Sequence, residues 1–186
     1  FKFSCDGNRK VERLEQGQMQ VMNKNDISTL IQFNFWANDR ILATCEHISA
    51  DEFTHLHTPD PGWGSLRGIL VHTLDTEYGW RSILQALDED DILEADDFAD
   101  IAALKSRWYI ERTAWLDFVN SLSDESITLG YGDSPQSGPK VWQTILHVVT
   151  HGIQHRSEAA ALLTGYGHSP GELDFDLFLR EKPELQ

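Results

Sequence analysis

Three histidines recur at four-residue intervals in "HVVTHGIQHR" (147–156): His147, His151 and His155. A neutral imidazole is a common metal ligand. On a helix, i,i+4 side chains are neighbours, so two such rings can chelate one ion. Helical steps of about 100° per residue place His151 about 40° and His155 about 80° from His147. Val141, Ile145, Val148, Val149 and Leu163 centre near about 160° on that wheel. His155 is therefore nearest the core, His151 sits at its rim, and His147 is farthest out. His151 with His155 is the favoured pair. A catalytic zinc takes three protein ligands and keeps an open position, so a third must come from another helix. His72, in "ILVHTLDTEYGW", is the one histidine within the second helical segment, at the rim of its apolar face. His55 and His57 fall in a loop, His168 follows a helix stop, and His47 sits at a helix end. A lone histidine in any of these places more often serves packing; the joint pattern carries the metal reading.

Two known metal patterns are excluded. Gly152 stands where a zincin helix needs the glutamate base of HExxH. The inward glutamates and paired Glu-x-x-His motifs of di-iron bundles are not found. Other polar residues share the apolar faces. Arg156 projects into the middle of the fourth segment's apolar face, and a buried guanidinium needs a carboxylate. Glu77 is the first candidate and Glu111 the second, in a structural pair that fixes helix register. Asn34 and Asn38 stack one turn apart on the first segment's apolar face, where buried amides must be hydrogen-bonded; interhelical bonding is the expectation. Trp36, Trp63, Trp80, Trp108, Trp115 and Trp142 read as packing residues.

Four amphipathic segments must position these groups. The first runs from about Asp26, an N-cap candidate, to about His47, with Ile27, Leu30, Ile31, Ile41, Leu42 and Cys45 on one face. The second runs from the cap Ser65 to Leu87, with Leu66, Ile69, Leu70, Trp80, Ile83, Leu84 and Leu87 inward. The third runs from about Ala99 to Leu122. The fourth opens at "GPKVW", with Pro139 suited to the first helical position, and ends near Thr164 before Gly165 and Gly167. The acidic loop "DEDDILEADD" (88–97) reads as solvated. "GYGDSPQSG" (130–138) is a turn with room for a small hairpin. Four long helices, each burying one face, make an all-α four-helix bundle. Residues 1–24 lack helical periodicity and read as a leader; 25–186 form the bundle domain.

Fifteen basic against thirty acidic residues give a net charge of −15. Binding a duplex means neutralising phosphates with Lys and Arg, and no basic stripe is visible, so nucleic acid is not an expected partner. No apolar run has the length of a bilayer span, so no membrane is expected either. The opening "FKFSCDGNRK" has neither the apolar core nor the cleavage site of a secretory signal. Cys5 and Cys45 make no disulfide framework, and a reducing cytoplasm is the default.

These same residues resemble the DinB/YfiT-like family of metalloenzymes. The matching pieces are "FNFWANDRIL" (33–42), "GSLRGILVHTLDTEYGW" (64–80), "VWQTILHVVTHGIQHR" (141–156) and "GELDFDLFLRE" (171–181), in family order. The resemblance implies an up-down-down-up four-helix bundle, often a homodimer, with a zinc or nickel ion on three histidines. Carried onto this chain those ligands are His72, His151 and His155; His147 matches a position that is often histidine but not a ligand. Related bundles include transferases and isomerases that use low-molecular-weight thiols. The expected function is thus a metal-dependent enzyme acting on a small molecule, of the thiol-dependent S-transferase type. A metal-dependent hydrolase and a non-catalytic dimeric metal-binding module are the alternatives.

Overall fold

The computed structural model describes residues 22–58, 63–88, 91–132 and 138–185. The expectations for residues 1–21, including Cys5, and for the middle of the 130–138 turn lie outside the described residues. Those described are all-helical, with no strand. There are four long helices: α1 (Lys24–Cys45), α3 (Leu66–Gln85), α4 (Ile101–Ser121) and α5 (Val141–Gly165). Two short ones are α2 (Ala50–Thr54) and α6 (Phe175–Glu181). One antiparallel bridge, Gly130 with Lys140, closes the turn before α5.

Local chemistry sets the helix starts. Asn23, not Asp26, caps α1: its side chain accepts from the Asn25 and Asp26 amides, and Asp26 accepts back from the Asn23 amide. Asp26 thus completes a reciprocal capping box from inside the first turn. Ser65 caps α3 as expected, accepting from the Gly68 amide at 3.1 Å. Asp100 caps α4. Pro139 lies outside α5, whose N-cap is Lys140, with the Gln143 side chain accepting the Lys140 amide at 2.9 Å. Of the residues placed inward on α3, Ile83 and Leu87 prove exposed, because α3 unwinds at Ala86 in a left-handed conformation and Ile83 faces away from the core.

α1 packs on α5 and α4, and α3 packs on the same two helices. Their buried faces form two apolar clusters. One joins Ile27, Ile31 and Phe33 of α1 to Trp115 and Val119 of α4 and Ile145 and Val148 of α5. The other joins Ile41 and Leu42 of α1 to Ile69, Leu70 and Leu74 of α3, Leu104 and Trp108 of α4, and Ala159 and Leu163 of α5. Cys45 belongs to the second cluster and is a free thiol. α6 lies along α1, with Phe178 tilted on Phe33 at 5.7 Å and Glu181 accepting from Trp36 and Arg40.

A buried polar group stands among the apolar residues. Glu77 of α3 accepts from the side-chain amides of Asn34 (2.6 Å) and Asn38 (2.9 Å) and from the Trp108 indole N–H (2.7 Å). The oxygens of both asparagines accept from Nη1 of Arg156, at 2.6 and 2.8 Å. The expected Arg156–Glu77 pair is therefore corrected: two amides stand between the charges and relay them. The second candidate, Glu111, is taken by Arg81 at 2.5 Å and by Arg107 at 3.2 Å.

Candidate metal centre

His72 projects from α3, and His151 and His155 project from successive turns of α5. The structure brings the three rings together: Nε2 of His151 lies 3.1 Å from Nε2 of His72 and 3.1 Å from Nε2 of His155. Nitrogens about 2.05 Å from a tetrahedral ion lie about 3.3 Å from one another, so the spacing fits a shared ion. Among the described residues this is the one group of three or more His, Cys, Asp or Glu side chains whose ligand atoms all lie within 4.8 Å of one another. His155 is buried and the other two are half-buried, the order the helical wheel gives.

Burial holds His151 well below its ordinary range, at about 4, and the neighbouring His155, His72 and His147 rings and Arg156 push the same way. His72 is lowered too, first by burial and then by His155, against the opposing pull of Asp75 and Glu158. Crowding thus favours the neutral form that offers a lone pair to a cation.

Two residues support the rings and were not read from the sequence as site groups. Glu158, one turn beyond His155, places Oε2 at 2.7 Å from His155 Nδ1. Its i,i+3 spacing was a usable signal. Trp63 stacks on His72, with ring centroids 3.5 Å apart and planes 13° from parallel. It meets His155 edge-on at 6.4 Å. Trp63 is 46% exposed, so the expectation that it is a packing residue is corrected: its indole lines the site. The sequence "WGSLRG" builds this placement. Gly64 takes φ +72°, a left-handed conformation natural to glycine. A Cβ on Gly68 would run into the Trp63 carbonyl oxygen.

The polar relay meets the site on α5, where Arg156 follows His155. A Cβ on Gly152 would stand 2.6 Å from Arg156 Nη1 and 2.7 Å from Asn34 Oδ1. The glycine in the zincin glutamate's position is thus the gap through which the guanidinium reaches α1. Burial brings Arg156 down to about 10, opposed by Glu77, so it remains a cation at neutral pH.

Of the other histidines only His147 borders the trio, its ring 5.8 Å from that of His151, and it is not one of the converging ligand groups. His147 is exposed, edge-on to Trp80 at 5.4 Å. His57 hydrogen-bonds the Tyr166 hydroxyl at 2.7 Å, beside His55. His47 stacks with His168 at 6.1 Å.

The sequence model of the DinB family matches residues 19–185. No match among curated proteins accompanies it. With a match across nearly its whole length, the chain belongs to the DinB family.

Proposed function

We propose that this protein is a metal-dependent enzyme of the thiol-dependent S-transferase type, with a zinc or nickel ion on His72, His151 and His155 and an open coordination position. The observation that carries the reading is the convergence of three ring nitrogens from two helices, with Nε2 of His151 3.1 Å from Nε2 of both His72 and His155 and all three within 4.8 Å of one another. Three neutral imidazoles leave the charge of a bound divalent ion uncompensated, and that charge favours deprotonation of a small thiol or of water near neutral pH. The chain's own groups do the rest. The rings of His72 and His151 are half-buried, so one side of the cluster is reachable from solvent. Trp63 walls that region with an exposed indole suited to an apolar or planar part of a substrate.

The fold that goes with this reading is an up-down-down-up four-helix bundle. Its support is the membership of the two apolar clusters. α1 and α5 pass from the first cluster to the second along the chain, and α3 and α4 pass the opposite way. A homodimer belongs to the same proposal, with the exposed Ile83 of α3, Leu87 just beyond its end and Ile153 of α5 as apolar surface for it. So does a cytoplasmic setting, for which the free thiol Cys45 is the support. Among the described residues no helix is long and apolar enough to cross a membrane.

The test is elemental analysis of untagged protein alongside His72→Ala, His151→Ala and His155→Ala, followed by assay of the loaded protein with small thiols and an electrophile. About one ion per chain, lost in each variant, with metal-dependent conjugation, is the expected result. Hydrolysis without conjugation would move the assignment to a hydrolase. Chelation that unfolds the protein with no activity at any stage would make it a metal-binding module. Metal content at background in the parent protein would end the reading.

A further inference from the structure

The cluster has a built asymmetry. Of its three rings only His155 is recorded, among the described residues, against a carboxylate: Glu158 Oε2 at 2.7 Å from Nδ1. His72 has the Trp63 face, and His151 has the rings around it. An ionised carboxylate has no proton to give, so Nδ1 of His155 must be the donor. A neutral imidazole carries one N–H. With that proton on Nδ1, Nε2 is left with its lone pair, and Nε2 is the atom 3.1 Å from His151. The His155 side chain is 6% exposed, so water has little access to replace the carboxylate if it is lost. The carboxylate is itself steadied on α5: its other oxygen accepts from Gln154 Nε2, at 3.5 Å.

We infer that Glu158 is a positioning residue for the metal centre: it locks His155 in the Nδ1–H tautomer and aims Nε2 at the ion. The inference rests on the three-histidine reading above and extends it to a residue that binds no metal itself. Carboxylates behind ligating histidines fix ring orientation and raise ligand basicity, and their loss typically costs about 10–100-fold in metal affinity.

The experiment compares untagged parent protein with Glu158→Leu and Glu158→Gln. Zinc affinity is measured by competition with a chromophoric chelator, and folding by circular dichroism. Cobalt-loaded samples give the hyperfine-shifted imidazole N–H resonances by proton NMR. Glu158→Leu is expected to raise Kd for zinc by about 10–100-fold. Glu158→Gln, whose amide oxygen still accepts from Nδ1, is expected to fall between it and the parent. One exchangeable N–H resonance, slow to exchange in the parent, should exchange faster in Glu158→Gln and vanish into solvent exchange in Glu158→Leu. A merely structural role would leave that proton unmoved. Should the leucine variant not fold, the glutamine variant's affinity and exchange rate decide the matter. Variants that bind zinc within twofold of the parent, with the N–H resonance unchanged, overturn the role of Glu158 while leaving the histidine site standing. A parent protein with no zinc affinity overturns both.

Discussion

Replacing Glu77 by glutamine tests the buried relay without opening a cavity, because the two side chains have nearly the same volume. The carboxylate receives three N–H groups: two amides on Oε1 and the Trp108 indole on Oε2. Burial pushes its pKa up, against the pull of those donors and of Arg156; three converging N–H groups suit a carboxylate, which brings no proton of its own to place among them. The asparagines cannot turn to suit a new partner, since each Oδ1 is committed to Arg156 Nη1. A glutamine there can offer its oxygen to the asparagine pair, but its NH2 then faces the Trp108 N–H, donor against donor. The Arg156 charge also loses its only buried counter-charge in the relay. Leaving a buried charge unmatched costs about 3–5 kcal/mol, and each orphaned donor about 1–3 kcal/mol. These overlap, so about 4 kcal/mol in all is expected. With a urea m-value of about 2 kcal/mol/M, the midpoint should fall by about 2 M. Far-UV circular dichroism against urea measures it. Adding Arg156→Met should restore part of the loss, giving a coupling of the two sites well outside additivity. A Glu77→Gln variant within about 1 kcal/mol of the parent would refute the directional relay.

Gly152→Ala should be far worse than an ordinary helical Gly→Ala, which usually stabilises. Its Cβ would press on Arg156 and Asn34, so a loss of about 2–3 kcal/mol is expected from overpacking, read as a lowered Tm. Cys45 should resist iodoacetamide at pH 8 in the folded protein and react once unfolded, as mass mapping of its peptide would report. Burial raises its pKa to about 12 against the lesser pull of Lys105. The same shift has a stability sign. The folded state keeps the thiol proton to higher pH than the unfolded chain, whose thiol titrates near about 8.5. Cys45 is therefore neutral to stability below that pH and erodes it as pH climbs toward 12, a slope that Cys45→Ala should remove from urea midpoints measured at pH 8 and pH 10.

Much of this organisation could be read before any coordinates. Apolar residues at helical spacing marked four helices, because each buries one face along its length. Ends shifted by a few residues where side-chain caps decide, as at Asn23 and Lys140. The wheel ordering of His155, His151 and His147 matches their burial, since it needs only the helix repeat. Asn34 and Asn38 do bond between helices. What stayed hidden depends on distances between helices. Arg156 and Glu77 share a layer, yet their separation is bridged by amides, which no one-dimensional pattern encodes. Trp63 is separated from His72 by a turn whose path rests on Gly64 and Gly68, so its stacking could not be inferred from spacing.

His155 and Arg156 are consecutive residues with opposite loyalties: one ring joins the histidine cluster, and the next side chain reaches across the core to α1. A peptide bond cannot shift on one side only. Whatever pins the imidazole also constrains the backbone that carries the guanidinium, so on the proposed metal reading the loss of an ion would be felt in the packing around Arg156, and a lesion in that packing would be felt in turn at the buried His155 ring.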